Sequence, residues 1–431
     1  MKILNLFKKD EEEELKEAPL GYWEEKSYMI AIPRDDTRDL VKGIFERVEA
    51  INGVQIKEKI ELTEEEPGKI VLEYDGEEYE VGFYPVDFAM PEIAQFNSFY
   101  FTDEEIKRLK KARQALTIFM EFHNDAKKSY HLQLKLAVAM VPDLIGIMDE
   151  SAEKMLPARW AIMAASSNVV PSSNDLYTVQ AVSEENGEVW LHTHGLCRCG
   201  YTELEILQSD KENYNNHYNL ISTFASYIIG KMHKFDPREN SAYVGVLINR
   251  QPVVVTCVSW TEGLKEYDNL DLGGPEDRKE GHNSKTSIMF IYKSEEDEKN
   301  KKLSKVSEYD NLWGDNPIFF ISNEETDRMK ALARERFHFV KAESQNKENS
   351  IIIKIGLKVD DDDNDNLEHI WFELLEIDGD RFKARLTQEP YNVNNIHEGD
   401  EAWFTVEDVT DWIIYTPKFR VTPGSVYVLI K

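Results

Sequence analysis

Short segments in which apolar and polar residues alternate recur along most of this chain. A period of two places successive side chains on opposite faces of a strand, which predicts sheets with a buried face. Segments with helical periodicity lie between them, the first at residues 36–50. The strands predicted around this helix are residues 28–32, 54–62, 69–74 and 79–84. Strands and helices interspersed in this way predict an α+β fold with antiparallel sheets.

The clearest helix start lies at Thr102, which forms a capping box with Glu105. An apolar stripe after it predicts a helix that includes Leu116 and Phe119. A second helix over residues 130–141 must end at Pro142. The charged, Gly-rich residues 262–285 are predicted to form a mobile surface loop. The remaining predicted elements of the central region are a helix at 214–232 and strands at 176–182, 189–196, 243–248, 253–258 and 287–292.

The length of 431 residues exceeds what one ordinary core needs, so two or three domains are expected. A strongly charged stretch at residues 294–315 marks the likeliest boundary. Beyond it, a helix at 322–340 leads into strands that predict a small twisted antiparallel sheet or a partly closed barrel. Those strands are predicted at residues 351–359, 369–377, 381–387, 401–406, 412–415 and 425–430. The predicted division is a charged tail (1–26), a small α+β unit (27–100), a central α+β domain (101–315) and a C-terminal domain (316–431).

The formal net charge of -30 argues against a protein that binds nucleic acid or a membrane surface. Phosphates and anionic lipid head groups are bound chiefly through Lys and Arg, and an acidic surface repels them. The charge is compatible with a basic protein partner. Cys197, Cys199 and Cys257 are too few for a disulfide framework, and Pro142 and Asp143 interrupt the longest apolar stretch. The expected location is therefore the cytoplasm, and the oligomeric state stays open.

Two resemblances rest on short motifs that recur in order. The motifs at residues 369–373 (HIWFE), 377–382 (IDGDRF), 389–391 (EPY), 398–400 (EGD) and 411–413 (DWI) resemble the bacterial "domain of unknown function 2314" family. The motifs at 131–135 (HLQLK), 141–144 (VPDL), 149–152 (DESA) and 190–195 (WLHTHG) resemble the "domain of unknown function 4026" family. Neither resemblance implies an established activity, cofactor or catalytic residue. Some relatives look like genes associated with toxin immunity, which implies an immunity-type or regulatory role by analogy.

The densest group of reactive side chains consists of His192, His194, Cys197 and Cys199. Imidazole and thiolate are zinc ligands, so one hypothesis is a zinc-dependent hydrolase with Glu203 as the general base. Strand alternation opposes it, because the histidines and the cysteines fall on different faces unless a bulge intervenes. The alternative interpretation is a buried strand whose histidines are hydrogen-bonded and whose thiols pack as small apolar groups.

Glu203 and Glu205 should share one strand face, where paired carboxylates can act as acid and base. A solvent-facing strand edge gives the same pattern more often and is the preferred interpretation. Phosphate-binding, dinucleotide-binding and nucleophile-elbow motifs are absent from the sequence. The sequence therefore favours a non-enzymatic protein-interaction factor without a cofactor, with Trp371, Trp403 and Trp412 as the binding aromatic residues.

Overall fold

The computed structural model describes residues 26–34, 39–91, 99–183, 187–231, 236–247, 249–281, 283–313, 317–360 and 366–430. The fold is α+β, as predicted. The chain forms two compact units, one of residues 1–165 and 171–321 and the other of residues 166–170 and 322–431. None of the helices in the described ranges is both long enough and apolar enough to cross a membrane.

The first sheet of the larger unit has seven strands in the order β2-β3-β4-β5-β1-β6-β7, and all neighbours are antiparallel. These strands are β1 (Ser27–Pro33), β2 (Val54–Ile60), β3 (Gly68–Tyr74), β4 (Glu77–Asp87), β5 (Gln114–Met120), β6 (Leu144–Asp149) and β7 (Lys154–Pro157). Because β1 lies between β5 and β6, this sheet crosses the domain limit predicted at residue 100.

The helices of this region are α1 (Ile44–Glu49), α2 (Asp103–Lys111), α3 (Ala126–Met140) and α4 (Ala158–Ser166). The capping box at the start of α2 is confirmed: Thr102 Oγ1 accepts from Glu105 N at 3.3 Å, and Glu105 Oε2 accepts from Thr102 N at 2.7 Å. The continuation of this helix through Leu116 and Phe119 is wrong, because both residues lie in β5. Strand β5 has sheet neighbours on both sides, and its continuous apolar sequence imitates a helical stripe. Helix α3 ends before Pro142, as predicted.

The second sheet of the larger unit has the order β15-β11-β12-β13-β10-β9-β8, and β14 pairs with β13. Strands β10 and β13 run parallel, and the other pairs are antiparallel. The strands are β8 (Thr178–Ser183), β9 (Glu188–His194), β10 (Glu203–Asp210), β11 (Ala242–Val246), β12 (Pro252–Ser259), β13 (Thr286–Tyr292), β14 (Ser304–Lys305) and β15 (Ile318–Phe319). The accompanying helices are α5 (Tyr214–Ile229), α6 (Trp260–Gly263), α7 (Glu295–Lys299) and α8 (Asp310–Trp313).

The predicted surface loop at residues 262–285 has many exposed residues, but it is anchored in the core at several positions. Tyr267 and Leu272 belong to a hydrophobic cluster with Trp190 and Phe290 of the second sheet. The side chain of Arg278 is completely buried. The anchoring residues have no regular spacing in the sequence and are separated by charged and glycine residues. For this reason the sequence pattern does not predict their contact with the second sheet.

The smaller unit contains a six-stranded antiparallel sheet that curls into a half barrel, in the order β19-β18-β17-β16-β20-β21. Its elements are α9 (Asn323–Glu335), α10 (Phe337–Glu343), β16 (Ser350–Lys358), β17 (Leu367–Asp378), β18 (Arg381–Leu386), β19 (Glu401–Thr405), β20 (Val409–Tyr415) and β21 (Arg420–Val421). The rings of Phe337 in α10 and Phe382 in β18 lie 5.3 Å apart, so the helical segment packs on the inner face of the sheet. The acidic run at residues 360–366 lies mostly outside the described residues.

The final predicted strand, at residues 425–430, is wrong. Residues Pro423–Leu429 form 3₁₀ turns instead. Pro423 occupies the first turn, where its missing N–H has no cost. Ser425 Oγ also accepts from Thr422 N at 2.9 Å, which stabilises the start of this turn.

Candidate functional site

Strand β9 places the two candidate histidines on one face of the second sheet, as the alternation predicted. The ring centroids of His192 and His194 are 4.9 Å apart, and the ring of Trp190 lies 4.3 Å from that of His192. The strand ends at His194, and the chain turns at Gly195 with φ 113°. A Cβ atom at Gly195 would lie 2.5 Å from the carbonyl oxygen of Leu176, so this turn requires glycine.

The two candidate cysteines lie in a single buried 3₁₀ turn, Cys197–Cys199. Burial raises the pKa of the Cys199 thiol to about 12, and its Sγ donates to the carbonyl of Gly195 at 3.5 Å. A thiol of this kind stays protonated near neutral pH and packs as a small apolar group. Across the described parts of the chain, no group of three His, Cys, Asp or Glu side chains is arranged to hold a metal ion.

Glu203 is buried and stabilises the turn between β9 and β10. Its carboxylate accepts from Thr193 Oγ1 at 2.6 Å, from Gly195 N at 2.8 Å and from Cys197 N at 3.1 Å. The predicted solvent-facing edge is wrong, because β10 has β9 on one side and β13 on the other. Three donors around one carboxylate fix the backbone of the turn, which is a structural use of this side chain.

Glu205 forms a buried two-pronged ion pair with Arg278. Its Oε1 and Oε2 accept from Arg278 Nη1 and Nη2 at 2.6 and 2.7 Å, and neither side chain has any exposed surface. The indole Nε1 of Trp190 also donates to Glu205 Oε2, at 3.2 Å. A parallel pair of charge-assisted hydrogen bonds of this kind fixes both the position and the plane of the guanidinium group.

The other contacts of Arg278 complete an enclosure that we call the Arg278 box. It consists of Glu205, Trp190, Trp260, the carbonyl groups of Gly273 and Asn283, and the hydroxyl of Thr286. The guanidinium donates to the two carbonyl groups at 2.9 and 2.8 Å and to the hydroxyl at 2.8 Å. Its central carbon lies 4.8 Å from the Trp260 ring centroid and 5.9 Å from that of Trp190. No local sequence pattern predicts this box, because its parts come from four separate segments.

A second buried ion pair joins Arg198, in the turn after β9, to Asp149 at the end of β6. The two hydrogen bonds are 2.7 and 2.9 Å long, and Arg198 Nη1 also donates to Ser27 Oγ at 3.0 Å. Tyr130 supplies a ring 5.0 Å from the guanidinium carbon. The pair therefore connects the first and second sheets within the larger unit.

Lys154 in β7 is a third buried cation that the sequence analysis missed. Its Nζ donates to the carbonyl groups of Asp175 and Tyr177, the latter at 3.2 Å. Burial lowers the pKa of Lys154 to about 8, although Asp149 acts in the opposite direction. Lys154 and Arg198 thus lie near the same carboxylate of Asp149, and the repulsion from Arg198 lowers the pKa of the amine further.

The three candidate tryptophans of the smaller unit have different environments. Trp412 is fully buried, and its Nε1 donates to the carbonyl of Ala333 at 2.8 Å, so this ring lies in the core and not on the surface. Trp403 is 39% exposed on the terminal strand β19, with the guanidinium of Arg381 5.3 Å from its ring centroid. Trp371 is half-buried on β17.

Exposed apolar side chains cluster at the opposite end of the second sheet from β8. Ile318, Phe320 and Ile321 are 62%, 43% and 63% exposed, and Tyr243 of the neighbouring β11 is 50% exposed. The rings of Tyr243 and Phe320 make an edge-to-face contact with centroids 4.9 Å apart. We call these four residues the β15 edge patch. The run Ile-Phe-Phe-Ile at residues 318–321, directly after a charged stretch, was the signal available in the sequence.

Comparison with known protein families confirms both resemblances. The N-terminal and C-terminal models described as "Protein of unknown function (DUF4026)" match residues 27–171 and 179–290. The chain belongs to the DUF4026 family. A third model, described as "Uncharacterized protein conserved in bacteria (DUF2314)", matches residues 324–425. The Arg278 box lies within the C-terminal DUF4026 match. Of the β15 edge patch, Tyr243 lies within that match, and residues 318–321 lie between the DUF4026 and DUF2314 matches.

One curated relative is the "Putative ankyrin repeat protein" of Neisseria meningitidis serogroup B (strain ATCC BAA-335 / MC58). It is 25% identical to this chain over 111 residues, which cover 24% of this chain and 44% of the relative. This chain therefore matches less than half the length of that relative. No solved structure matches the chain.

Proposed function

We propose that this protein is a non-enzymatic protein-binding factor, with an immunity-type or regulatory role, that binds an extended segment of a partner along β15. The observation that carries the proposal is the β15 edge patch. Four large apolar side chains that are 43% to 63% exposed lie on the terminal strand β15, directly after it and on the neighbouring strand β11. Contiguous exposed apolar surface bordered by polar residues is typical of an interaction site.

The backbone of this segment supports binding by strand addition. Phe320 N donates to Val244 O at 2.9 Å, so one side of the segment is hydrogen-bonded to the region of β11. Edge strands are usually protected by charged residues, proline or bulges, whereas Ile318 and Ile321 are apolar and open to solvent. A partner strand would gain main-chain hydrogen bonds on the free side and apolar contacts with the patch.

The net charge of the protein indicates which charge the partner strand should carry. With a formal net charge of -30, the protein attracts cations over a distance and repels acidic partners. We expect a partner segment with apolar residues in its centre and basic residues at its flanks. Its association rate should fall as the salt concentration rises.

The hydrogen bonding of the polar candidates supports a non-enzymatic role. The carboxylate of Glu203 already accepts three hydrogen bonds from the turn it stabilises, and that of Glu205 is paired with Arg278. The alternative of a zinc-dependent hydrolase has less support, because His192 and Cys199 join no three-ligand group in the described residues.

A second candidate surface is the outer face of the smaller unit around Trp403. This ring is partly exposed on the terminal strand β19 and stacks with a cation. Tryptophan next to arginine is common among residues that dominate binding energy at protein interfaces. The variant Trp403→Ala distinguishes the two surfaces, because it should reduce partner binding only if the partner binds at the Trp403 surface.

The test compares two matched variants in quantitative affinity capture from the native cell extract. Ile318→Asp places a charge in the β15 edge patch. Ile60→Asp makes the same change at an exposed isoleucine of β2, which is the terminal strand of the first sheet of the larger unit. Wild type and Ile60→Asp should retain the same specific partner, and Ile318→Asp should lose it. Capture of the same proteins at the same level by all three would refute the proposal.

A further inference from the structure

The Arg278 box has the composition of a site that recognises a guanidinium group. A carboxylate offers a two-pronged acceptor, two indole rings cover the cation, and carbonyl and hydroxyl oxygens also accept from its two terminal nitrogens. Arginine fits such an enclosure because its planar fork matches a carboxylate and stacks on aromatic rings. A lysine ammonium lacks both the fork and the plane.

Arg198 and Arg278, which are both buried in the larger unit, differ in the backbone structure that surrounds them. Arg198 lies in the short turn between β9 and β10, and paired strands hold it on both sides. Arg278 is the last residue of the segment 264–278, which contains short 3₁₀ turns and no strand. These residues contact the sheet through individual bonds, such as Gln208 Nε2 to Asn269 O at 2.8 Å.

Residues 264–278 therefore have the features of a segment that opens more easily than the sheet beneath it. Segments without a strand ladder are held by fewer main-chain bonds and reach open states at lower free energy than core strands. Tyr267 and Leu272 pack against the core, and the backbone N–H groups of Asp271 and Leu272 donate to the carboxylate of Glu188 in β9. Its other end is fixed by the ion pair of Arg278 with Glu205.

We propose that residues 264–278 form a lid, that Arg278 is its latch, and that the box beneath recognises a guanidinium group from another molecule. When the lid opens, the carboxylate of Glu205 loses its counter-charge and keeps only the hydrogen bond from Trp190 Nε1 among the contacts described above. A buried carboxylate without a partner is strongly unfavourable, so the open state gains by binding a replacement cation. The source is either an arginine side chain of a partner protein or a small guanidino compound, and a bound guanidinium keeps the lid open by excluding Arg278.

The test uses Arg278→Ala in the full chain, with methylguanidinium chloride as the probe and methylammonium chloride as the control at equal ionic strength. Methylguanidinium should raise the midpoint of thermal unfolding of Arg278→Ala in a saturable manner, and methylammonium should not. Wild type, whose box is filled, should show no saturable increase. The double variant Arg278→Ala with Glu205→Gln should lose the response.

Two short peptides distinguish the sources. Binding of Gly-Arg-Gly but not Gly-Lys-Gly to Arg278→Ala would indicate a partner's arginine, and binding of methylguanidinium alone would indicate a small guanidino compound. Equal responses to methylguanidinium and methylammonium would overturn the guanidinium site. A response that persists in the double variant would overturn it as well.

Hydrogen exchange of the wild-type protein tests the lid even if Arg278→Ala fails to fold. Protection of the amides in residues 264–278 should be at least about tenfold lower than in β9, β10 and β13, because the lid opens separately. Exchange of the lid only together with those strands would overturn it. The double variant Arg278→Ala with Glu205→Gln should exchange faster in the lid while the strands stay protected.

Discussion

Replacement of Lys154 by methionine should make the stability of the larger unit less dependent on pH. Burial lowers the pKa of this amine from 10.5 to about 8, so the unfolded chain binds the proton more tightly than the folded one. The difference of about 2.5 in pKa corresponds to a cost of about 3 kcal/mol. This cost is fully present below pH 8, declines as the pH rises towards 10.5, and is absent above that value.

The substitution also removes the hydrogen bonds from Lys154 to the carbonyl groups of Asp175 and Tyr177, which costs about 1–3 kcal/mol at every pH. The two effects nearly cancel at pH 7, so Lys154→Met should be about as stable as wild type there or slightly more stable. Between pH 7 and pH 10.5 the wild type should gain about 3 kcal/mol relative to the variant.

The assay is urea unfolding of both proteins across this pH range, with hydrogen exchange in β6 and β7 to identify the transition of the larger unit. Lys128→Met is the control, because Lys128 is exposed and a hydrogen bond with Asp75 raises its pKa. The small contribution of Lys128 to stability is present at lower pH and is lost as the pH rises through its folded pKa. Its effect on stability therefore changes with pH in the direction opposite to that of Lys154. A constant difference between wild type and Lys154→Met from pH 7 to pH 10.5 would refute the reasoning.

Three further predictions follow from the described contacts. Asp149→Asn leaves the guanidinium of Arg198 buried without its carboxylate and should lower the free energy of unfolding by about 3–5 kcal/mol in urea unfolding; a loss below about 1 kcal/mol would contradict this. Trp412→Ala should cost about 3–5 kcal/mol, whereas Trp403→Ala should cost less than about 1 kcal/mol, and equal losses would show that Trp412 is not a core residue. Mass spectrometry of protein purified without chelator should find well below one equivalent of zinc or iron, whereas about one equivalent would restore the metal hypothesis for His192.

Local signals in the sequence predicted the elements that depend on neighbouring residues. The capping box of Thr102 and Glu105 needs side chains three positions apart, and Pro142 ends α3 through its own ring. The turn at Gly379 between β17 and β18 has φ 60°, which glycine adopts without strain. Each of these features is decided within one turn of chain, where periodicity and propensity are informative.

Long-range contacts explain most of what the sequence did not predict. The partners Glu205 and Arg278 are 73 positions apart, and no local pattern marks either of them. Burial of Glu205 follows only from the position of β10 between β9 and β13, which a strand's own sequence does not specify. Leu116 and Phe119 were assigned to a helix because their strand is covered on both faces. Such a strand lacks the alternation of apolar and polar residues that would identify it.

Site-specific photo-crosslinking in native cells tests the proposed protein-binding role most directly. A benzophenone amino acid at position 318 would lie in the β15 edge patch, and the same residue at position 60 would occupy the matched exposed site on β2. We predict one dominant light-dependent adduct with another protein from position 318, mapped by mass spectrometry to an extended segment with apolar and basic residues, and none from position 60. No adduct from position 318, or the same adducts from both positions, would contradict binding along β15.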